Sequence, residues 1–284
     1  MQGKTVVATG ATSGIGEVAV LALARMGARI VFVARDERRA VATLKKLETQ
    51  APRLRHGVHL ADLSLMAEAR RVGLTIAQQE PRIDVLINNA GAIYGSRQLT
   101  VDGLELTWAV NHLAPFLLTA LLLDRIRASA PARVITTASG AHRGARVPFD
   151  DVNAAQGYRG FRRYGETKLA NILFTAELAR RLAGSGVTAT CLHPGFVATG
   201  FNRNNGGLMS FAMTLARPFA RSPQKGADTL VWLADSADIP SESGGYYANR
   251  KLARPSPAAR DLTGARRLWE LSEEQTGLAV AAAS

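Results

Sequence analysis

The chain has 284 residues, long enough to bury a sizeable core and within the range of one α/β domain. Its formal net charge of +12 would attract polyanions, but the arginines and lysines are spread along the chain without interleaved aromatic residues, which argues against nucleic-acid binding. The single cysteine, Cys191, cannot form an internal disulfide, and its apolar, β-branched surroundings predict a buried strand residue without catalytic function.

The sequence has only weak signals for a membrane span, a secretory signal peptide or a metal site. The longest apolar run, residues 113–123, contains Pro115 and Thr119 and falls short of the roughly 20 residues that a membrane helix needs. The N-terminus MQGKTVVATG has the pattern of a strand and a glycine turn, not of a secretory signal. The five histidines do not cluster, and the only close pair, His56 and His59, lacks thiol or carboxylate companions at metal-ligand spacing. We therefore expect a cytoplasmic protein with no membrane span and no bound metal.

Short apolar runs alternate with segments of helical periodicity, which predicts βα units on a parallel sheet. We expect a single three-layer, doubly wound α/β domain of the Rossmann type over residues 1–271. Residues 272–284 are expected to form a partly disordered tail. The predicted strands are TVVAT (5–9), ARIVFVA (28–34), DVLINNAG (84–91), ARVITTAS (132–139), VTATCLHPG (187–195) and GGYYA (244–248).

The stretch TGATSGIG places Gly10, Gly14 and Gly16 between the first strand and the first helix. Glycine lets the backbone adopt positive φ and approach a pyrophosphate closely, and the amides at a helix start favour its negative charge. The fingerprint G-x-G-x-x-G/A is met by Gly14, Gly16 and Ala19, a weak match that the flanking strand and helix strengthen. The turn indicates a dinucleotide site; the alternative is a glycine-rich connection without a ligand.

The end of the second strand bears on the choice of dinucleotide. Arg35 and Asp36 follow the glycines by about 20 residues, where an acid would bind the adenosine ribose and a base would bind a 2′-phosphate. Arg35 comes first, with Arg38 and Arg39 close behind, so an extra phosphate has several cations within reach. This order favours NADP over NAD, although the arginines could also be the solvated start of a helix.

Over nearly its whole length the sequence resembles the short-chain dehydrogenase/reductase family. The motifs that carry the resemblance are TGATSGIG (9–16), NNAG (88–91), Asn111 in NHLAPF, Ser139 in TTASGAH, Tyr164 and Lys168 in YGETK, and HPGFVAT (193–199). Residues 164–195 and RLWELSEEQTG (267–277) look like the retinol dehydrogenase and WW-domain oxidoreductase branch. The resemblance implies a Rossmann fold, a nicotinamide cofactor and the interconversion of alcohols with carbonyl compounds.

The resemblance also implies which residues form the site. The catalytic group would be Asn111, Ser139, Tyr164 and Lys168, with Ser139 as the only hydroxyl because Ala138 stands where the family often has another serine. Cofactor contacts are expected from Tyr164 and Lys168 themselves and from Gly10, Thr12, Ser13, Gly14, Ile15, Gly16, Arg35, Asp62, Leu63, Asn89, Ala90, Gly91, Pro194, Val197 and Thr199.

These residue types suit the chemistry. A free tyrosine has a pKa near about 10, so it is a poor base unless a neighbour stabilises the phenolate. Lys168, four residues after Tyr164 on a helix, would favour the ionised phenol and could also bind ribose hydroxyls. Ser139 would bind the substrate oxygen, and Asn111 would hold a water that connects Lys168 to solvent. The competing phenol, Tyr158, is followed at the same spacing by an arginine, so Tyr164 is preferred.

The substrate region is predicted less directly. Residues 141–163 are longer than a simple βα loop requires and suggest a surface excursion over the site mouth. Residues 200–222 combine glycines with large apolar side chains, which predicts a mobile lid that closes over a lipophilic substrate, or else a helix packed on the core.

The predicted function is NADP-dependent interconversion of a hydrophobic alcohol and its aldehyde or ketone, with Tyr164 as acid/base. The alternatives are an NAD-dependent dehydrogenase of a different alcohol, a non-catalytic dinucleotide-binding regulatory protein, and an isomerase or epimerase on the same fold. The segment LAPFLLTALLL and the helix of Tyr164 are faces through which such relatives often dimerise, so a homodimer is a candidate assembly; either face could instead be buried within one subunit.

Overall fold

The computed structural model describes residues 1–197, 221–237 and 243–278. Their strands form one sheet in the order β3-β2-β1-β4-β5-β6-β7-β8, parallel except for β8, which runs antiparallel to β7. This order is that of a doubly wound Rossmann sheet, the fold class that the sequence predicted. The strands are β1 (Thr5–Thr9), β2 (Arg29–Ala34), β3 (Gly57–Leu60), β4 (Val85–Asn88), β5 (Ala132–Thr137), β6 (Val187–His193), β7 (Tyr246–Ala248) and β8 (Lys251–Leu252).

Helices cover both faces of this sheet. One apolar cluster joins the sheet to α1, α2 and α7, and a larger one joins it to α3, α5, α6 and α8. The helices are α1 (Gly14–Arg25), α2 (Glu37–Gln50), α3 (Met66–Gln79), α4 (Leu106–Trp108), α5 (Ala114–Ala128), α6 (Gly160–Arg181), α7 (Pro223–Asp235) and α8 (Leu262–Thr276), with a π-helical turn at Ala109–Leu113 and 3₁₀ turns at Gly140–His142 and Pro257–Arg260. The three predicted layers are therefore present.

Two strands were not predicted from the sequence. β3 has only four residues, pairs with β2 alone and ends in Leu60, which is 43% exposed, so it carries no apolar run. β8 consists of two exposed residues. Cys191 was predicted correctly: it lies buried in β6, where burial raises the pKa of its thiol to about 12.

The predicted tail boundary at residue 272 is wrong, because α8 continues to Thr276 and ends at Gly277 in the left-handed conformation. Ser272 is fully buried, and its hydroxyl lies 2.8 Å from His112 Nε2. One turn earlier, Trp269 packs against Phe116 of α5 and Phe174 of α6 with ring centroids 4.9 and 5.9 Å apart. Aromatic packing of this kind holds the end of α8 on the core.

The stretch Leu106–Ala128, which joins α4, the π-helical turn and α5, is long and apolar enough to cross a membrane. It is the only such stretch in the described residues, and 72% of its most apolar window is buried inside the protein. A helix packed in a protein core shows the same features, so the finding is weak evidence for a membrane span. The expected cytoplasmic location stays a prediction.

Candidate active site

Glycines bring the ends of β1 and β4 into close contact. Gly10 has a φ of +66°, and a Cβ at this position would lie 2.8 Å from backbone atoms of Ala90. A Cβ at Gly16 would lie 2.1 Å from the Gly10 carbonyl oxygen. Because real Cβ atoms do not approach backbone this closely, the turn between β1 and α1 requires glycine at both positions.

Side chains of two threonines hold the strand ends that surround this turn. Thr9 Oγ1 accepts hydrogen bonds from the amides of Asn89 at 3.1 Å and Ala90 at 3.0 Å. The Asn89 amide group donates to the Gly10 carbonyl oxygen at 3.1 Å and accepts from Thr137 Oγ1 at 3.1 Å. Sequence reasoning assigned no role to Thr9 or Thr137, although both lie at the carboxyl ends of predicted strands.

The N-terminus of α1 suits an anionic ligand. Ser13 is its exposed N-cap residue, and the Ser13 side chain makes no capping hydrogen bond, so the first amides of the helix are not satisfied from there. Such amides, with the positive end of the helix dipole, bind phosphate groups. Thr12 and Gly14 complete the turn, and Gly14 has a φ of +58°. These residues fit the pyrophosphate of a dinucleotide.

The end of β6 lies beside the same helix start. Ile15 of α1 and Val197 both have methyl groups 2.7 Å from the position that a Cβ on Gly226 would take, so these two predicted cofactor residues meet at α7. Pro194 follows β6 directly. Thr199 and residues 200–220 of the predicted lid lie outside the described residues.

The end of β2 presents an exposed cation. Arg35 is 62% exposed at its side chain, its Nη1 lies 3.9 Å from Asp62 Oδ2, and its guanidinium hydrogen-bonds the Tyr94 side chain. Burial raises the pKa of Tyr94, and Arg35 offsets part of that effect. Leu63, next to Asp62, is almost completely buried. The predicted adenosine-side residues are therefore close together.

The acid that follows Arg35 is used structurally. Asp36 is the N-cap of α2: its Oδ1 accepts from the Arg39 amide at 3.0 Å, and its Oδ2 lies 3.7 Å from Arg39 Nε. A carboxylate in this position stabilises the helix start. The Asp36 side chain, 48% exposed, therefore caps the helix, and the Arg35 side chain beside it is 62% exposed.

Tyr164 and Lys168 lie on α6, opposite the end of β5 that carries Ser139. The Ser139 side chain hydrogen-bonds Tyr164. Lys168 Nζ lies 5.5 Å from the centre of the Tyr164 ring and donates to the Thr137 carbonyl oxygen at 2.9 Å. The lysine is almost completely buried and Tyr164 is half-buried. The fold thus assembles the serine, tyrosine and lysine that the sequence analysis singled out.

Burial dominates the protonation of this pair. It raises the pKa of Tyr164 to about 12, an effect that the hydrogen bond to Ser139 partly opposes. It lowers the pKa of Lys168 to about 8. The sequence predicted that the ammonium would favour the ionised phenol, but desolvation of the phenolate is the largest effect on the pKa of Tyr164. At neutral pH the tyrosine is therefore protonated and can donate.

Asn111 lies in the π-helical turn and is fully buried. Its Oδ1 accepts from the Ala92 amide at 2.7 Å, and its Nδ2 donates to the Ala92 carbonyl oxygen at 2.9 Å and to Thr167 Oγ1 at 3.0 Å. A Cβ on Gly91 would lie 3.3 Å from Asn111 Oδ1 and 3.4 Å from Lys168 Nζ, so both side chains approach Gly91. With both N–H groups of Asn111 used, a water for Lys168 could use only the remaining acceptor capacity of Oδ1 or the backbone.

Tyr158, the competing phenol, occupies a structural position. Its hydroxyl donates to the Tyr94 carbonyl oxygen at 3.0 Å and lies 3.2 Å from Thr107 Oγ1 and 3.3 Å from Glu105 Oε1. Burial raises its pKa to about 12. The Tyr158 hydroxyl thus connects the loop before α4 to the segment that precedes α6.

A fully buried ion pair holds this segment in place. Arg163 Nε lies 2.7 Å from Glu105 Oε2, and its Nη1 lies 3.3 Å from Glu166 Oε2. Arg163 also donates to the Val152 carbonyl oxygen, and its guanidinium lies 4.8 Å from the centre of the Trp108 ring. Part of the long 141–163 segment is therefore anchored beside Tyr164 by charge and hydrogen bonds, a role for which its sequence gave no signal.

A parallel sheet of this strand order, with a glycine turn after β1, defines a dinucleotide-binding α/β protein of the Rossmann class. The family model described as short chain dehydrogenase matches residues 4–207. The chain belongs to this family of oxidoreductases, which confirms the resemblance found in the sequence.

Relatives of this chain include proteins named retinol dehydrogenase, the branch that the sequence resembles. The mouse (Mus musculus) protein named retinol dehydrogenase 14 is 39% identical over 296 residues, which cover 98% of this chain and 87% of the mouse protein. A Streptomyces protein, DnrU, whose name gives it as a candidate daunorubicin C-13 ketoreductase, is 41% identical over 279 residues, which cover 98% of this chain and 94% of DnrU. The structure of Pseudomonas aeruginosa RhlG with NADP in its active site matches with a TM-score of 0.69 and 27% identity, covering 87% of this chain and 94% of RhlG.

Proposed function

We propose that this protein is an NADP-dependent oxidoreductase that interconverts a hydrophobic alcohol and its aldehyde or ketone, with Tyr164 as acid/base. The observation that carries the proposal is the hydrogen bond between Ser139 and Tyr164, with Lys168 beside the ring, next to the glycine turn. A substrate oxygen that contacts both hydroxyls would be oriented and protonated in one place.

Each group has a defined task in carbonyl reduction. Neutral Tyr164 donates its proton to the carbonyl oxygen, and the Ser139 hydroxyl stabilises the developing negative charge on that oxygen by a hydrogen bond. Lys168, positively charged below its pKa of about 8, stabilises the phenolate that remains and can bind ribose hydroxyls. A nicotinamide cofactor bound beside these residues would supply the hydride in reduction and accept it in oxidation. In alcohol oxidation the same proton transfer runs in reverse.

The cofactor preference rests on the end of β2. Arg35 offers an exposed guanidinium, which matches a 2′-phosphate in charge and geometry. Asp36, the residue that would favour an unphosphorylated ribose, is already used as the cap of α2. The NADP complex of RhlG, a relative by fold and sequence, is consistent with this preference.

The substrate class rests on the relatives. Retinol is an apolar alcohol and daunorubicin carries a ketone side chain, so the two names describe opposite directions of the same chemistry on bulky hydrophobic compounds. For this chain we propose a substrate of that class.

The test is a cofactor-linked screen of apolar alcohols, aldehydes and ketones, including retinal and an aryl methyl ketone, with NADPH and NADP. We expect turnover by the wild type, a loss of about 100-fold or more in Tyr164→Phe, and retained NADPH binding in that variant. Tyr158→Phe is the matched control, since its hydroxyl makes only structural contacts. If Tyr158→Phe lost turnover while Tyr164→Phe kept it, the assignment would be wrong; a wild type that binds NADPH without any turnover would favour the regulatory alternative.

A further inference from the structure

Two histidines hold the peptide group that links Ser139 to Gly140. The Ser139 carbonyl oxygen lies 2.6 Å from His142 Nδ1, and the Gly140 amide donates to His193 Nδ1 at 3.0 Å. One histidine therefore binds each polar end of the same peptide. We call this arrangement, formed by His142 and His193 around the Ser139–Gly140 peptide, the histidine clamp.

The hydrogen bonds determine the protonation of His142. Its Nε2 accepts a hydrogen bond from the Ser256 amide at 3.1 Å, so this nitrogen carries no proton. The proton of the neutral ring is then on Nδ1, from which it is donated to the Ser139 carbonyl oxygen. His142 is fully buried, with its ring 5.2 Å from the ring of Tyr246 in β7. The imidazole thus bridges the end of β5 and the segment before the last 3₁₀ turn.

His193 also has to be neutral in the clamp. Its Nδ1 can accept from the Gly140 amide only when that nitrogen carries no proton. The ring lies close to Gly140, where a Cβ would come within 3.2 Å of His193 Nε2. His193 is the last residue of β6, the strand that pairs with β5, so its ring is placed by the sheet itself.

The clamped peptide directly follows the Ser139 side chain. Ser139 has φ −159° and ψ 158°, and rotation about ψ would turn the peptide away from both imidazoles. The same backbone sets the position of Ser139 Oγ, which accepts from the Ala141 amide at 3.2 Å and hydrogen-bonds Tyr164. The geometry points to His142 and His193 as positioning residues that jointly orient the Ser139 hydroxyl toward Tyr164 and do so only while the His193 ring is neutral. This inference rests on the proposed role of Ser139 in binding the substrate oxygen.

A pH dependence follows from this arrangement. Protonation of His193 would place an N–H against the Gly140 N–H, whereas protonated His142 would keep its Nδ1–H bond to the Ser139 carbonyl oxygen. Burial lowers the pKa of both histidines. The groups that face His193 are His142, Arg221 and Arg143, all of which lower its pKa further; Arg143 does the same to His142, whereas the bond to Ser139 raises it. The clamp is therefore complete above pH about 6.5, the ordinary histidine pKa, and is lost as the pH falls through the lowered pKa of His193.

Asparagine and leucine, which have similar size and shape, separate the hydrogen bond from the packing. In His193→Asn the amide oxygen can accept from Gly140 and does not titrate, whereas His193→Leu has no acceptor. We expect kcat of His193→Asn to stay within about 3-fold of the wild type at pH 7.5 and kcat of His193→Leu to fall about 10- to 100-fold, with KM for NADPH unchanged in both. The acid-side decrease in kcat of the wild type should move to lower pH in His193→Asn.

The same two substitutions, to asparagine and to leucine, at position 142 test the other end of the clamp. His142→Asn can still donate to the Ser139 carbonyl oxygen, and His142→Leu cannot, so we expect the asparagine variant to be the more active one. Because His142 is fully buried, both variants are checked by thermal unfolding; should they not fold, the half-buried His193 pair still decides the question. The inference would be overturned by equal kcat in His193→Asn and His193→Leu. It would also be overturned if the acid-side decrease in kcat of His193→Asn occurred at the same pH as in the wild type.

Two further measurements distinguish the clamp from the proposed function. Ser139→Ala at wild-type kcat would contradict the role of Ser139, and the clamp would then have no catalytic purpose. Exchange of the Gly140 amide hydrogen, followed by NMR, tests the clamp without substrate: it should be slow in the wild type and in His193→Asn and fast in His193→Leu. Rapid exchange in the wild type would show that the clamp is not formed.

Discussion

The ammonium of Lys168 lies 5.5 Å from the centre of the Tyr164 ring, and its hydrogen bond goes to the Thr137 carbonyl oxygen and not to the phenol. The lysine is therefore held by β5, at a fixed position beside the tyrosine. Burial brings its pKa down to about 8 while that of Tyr164 rises to about 12. Both groups thus accept and release protons at a pH far from that of the free side chains.

The buried lysine should make stability depend on alkaline pH. Its pKa is about 8 in the folded chain against an ordinary value of 10.5, so between these values Lys168 binds more protons in the unfolded chain and its contribution to the free energy of unfolding rises with pH. The shift corresponds to about 3 kcal/mol. In Lys168→Met this contribution should disappear, whereas Lys225→Met, at an exposed site on α7, should keep it. Urea unfolding at pH 7.5 and pH 10 measures the difference; a wild type whose pH dependence matches that of Lys168→Met would contradict the prediction.

Arg35 should discriminate between the two nicotinamide cofactors. Hydrogen bonds to charged groups contribute about 1.5–3 kcal/mol, so Arg35→Ala should weaken NADPH binding by roughly 10- to 100-fold and leave NADH binding nearly unchanged. Arg38→Ala, an exposed neighbour on α2, is the control and should have a smaller effect. Fluorescence titration of both cofactors measures the ratio. An equal loss for NADPH and NADH would show that Arg35 does not contact the 2′-phosphate.

Gly165 sets the distance between α6 and the turn that carries Ser139. A Cβ at this position would lie 2.6 Å from the Ala141 carbonyl oxygen, a backbone atom that cannot move without shifting the turn. Gly165→Ala should therefore lower kcat by about 100-fold through misplacement of Ser139 relative to Tyr164. Gly73→Ala is the control, because its new Cβ would approach a terminal methyl group of Leu121, which can rotate away. Equal kcat in the two variants would show that the close contact has no catalytic consequence.

The ion pair of Arg163 should contribute far more to stability than the ion pair of the adjacent Arg162. Arg163→Met leaves Glu105 buried and unpaired, and loss of one partner of a buried pair costs about 3–5 kcal/mol. Arg162 also pairs with Glu166, but its side chain is 70% exposed, so Arg162→Met should cost less than about 1 kcal/mol. Chemical unfolding of both variants tests the comparison, and similar losses would argue against a special role for the buried pair.

The sequence revealed the strands that pass through the core and the residues of the known motifs. Thr5–Thr9 was predicted to the residue because all of its neighbours in the sheet are buried strands, whereas β3 and β8 lie toward the edges and lack an apolar pattern. Tyr164 and Lys168 were identified through their spacing. Their pKa values could not be predicted from the sequence, because desolvation depends on what the whole fold packs around them.

Interactions between distant segments were also beyond prediction from the sequence. His142, His193 and Thr137 occur within or beside recognised motifs, yet their roles depend on hydrogen bonds to residues of other elements. Arg163 lies in a basic stretch that looks solvated, and only the fold brings Glu105 to it. A single sequence contains no periodicity that predicts such contacts.

The packing of α8 has a consequence for how the chain matures. During synthesis, the strands of the sheet and the helix of Tyr164 emerge from the ribosome before α8, whose Trp269 covers Phe116 and Phe174. Until α8 docks, these aromatic side chains are exposed on a nearly complete sheet, and exposed apolar surface of this kind makes folding intermediates prone to aggregate. The nascent chain should therefore depend on chaperones most strongly just before α8 is released.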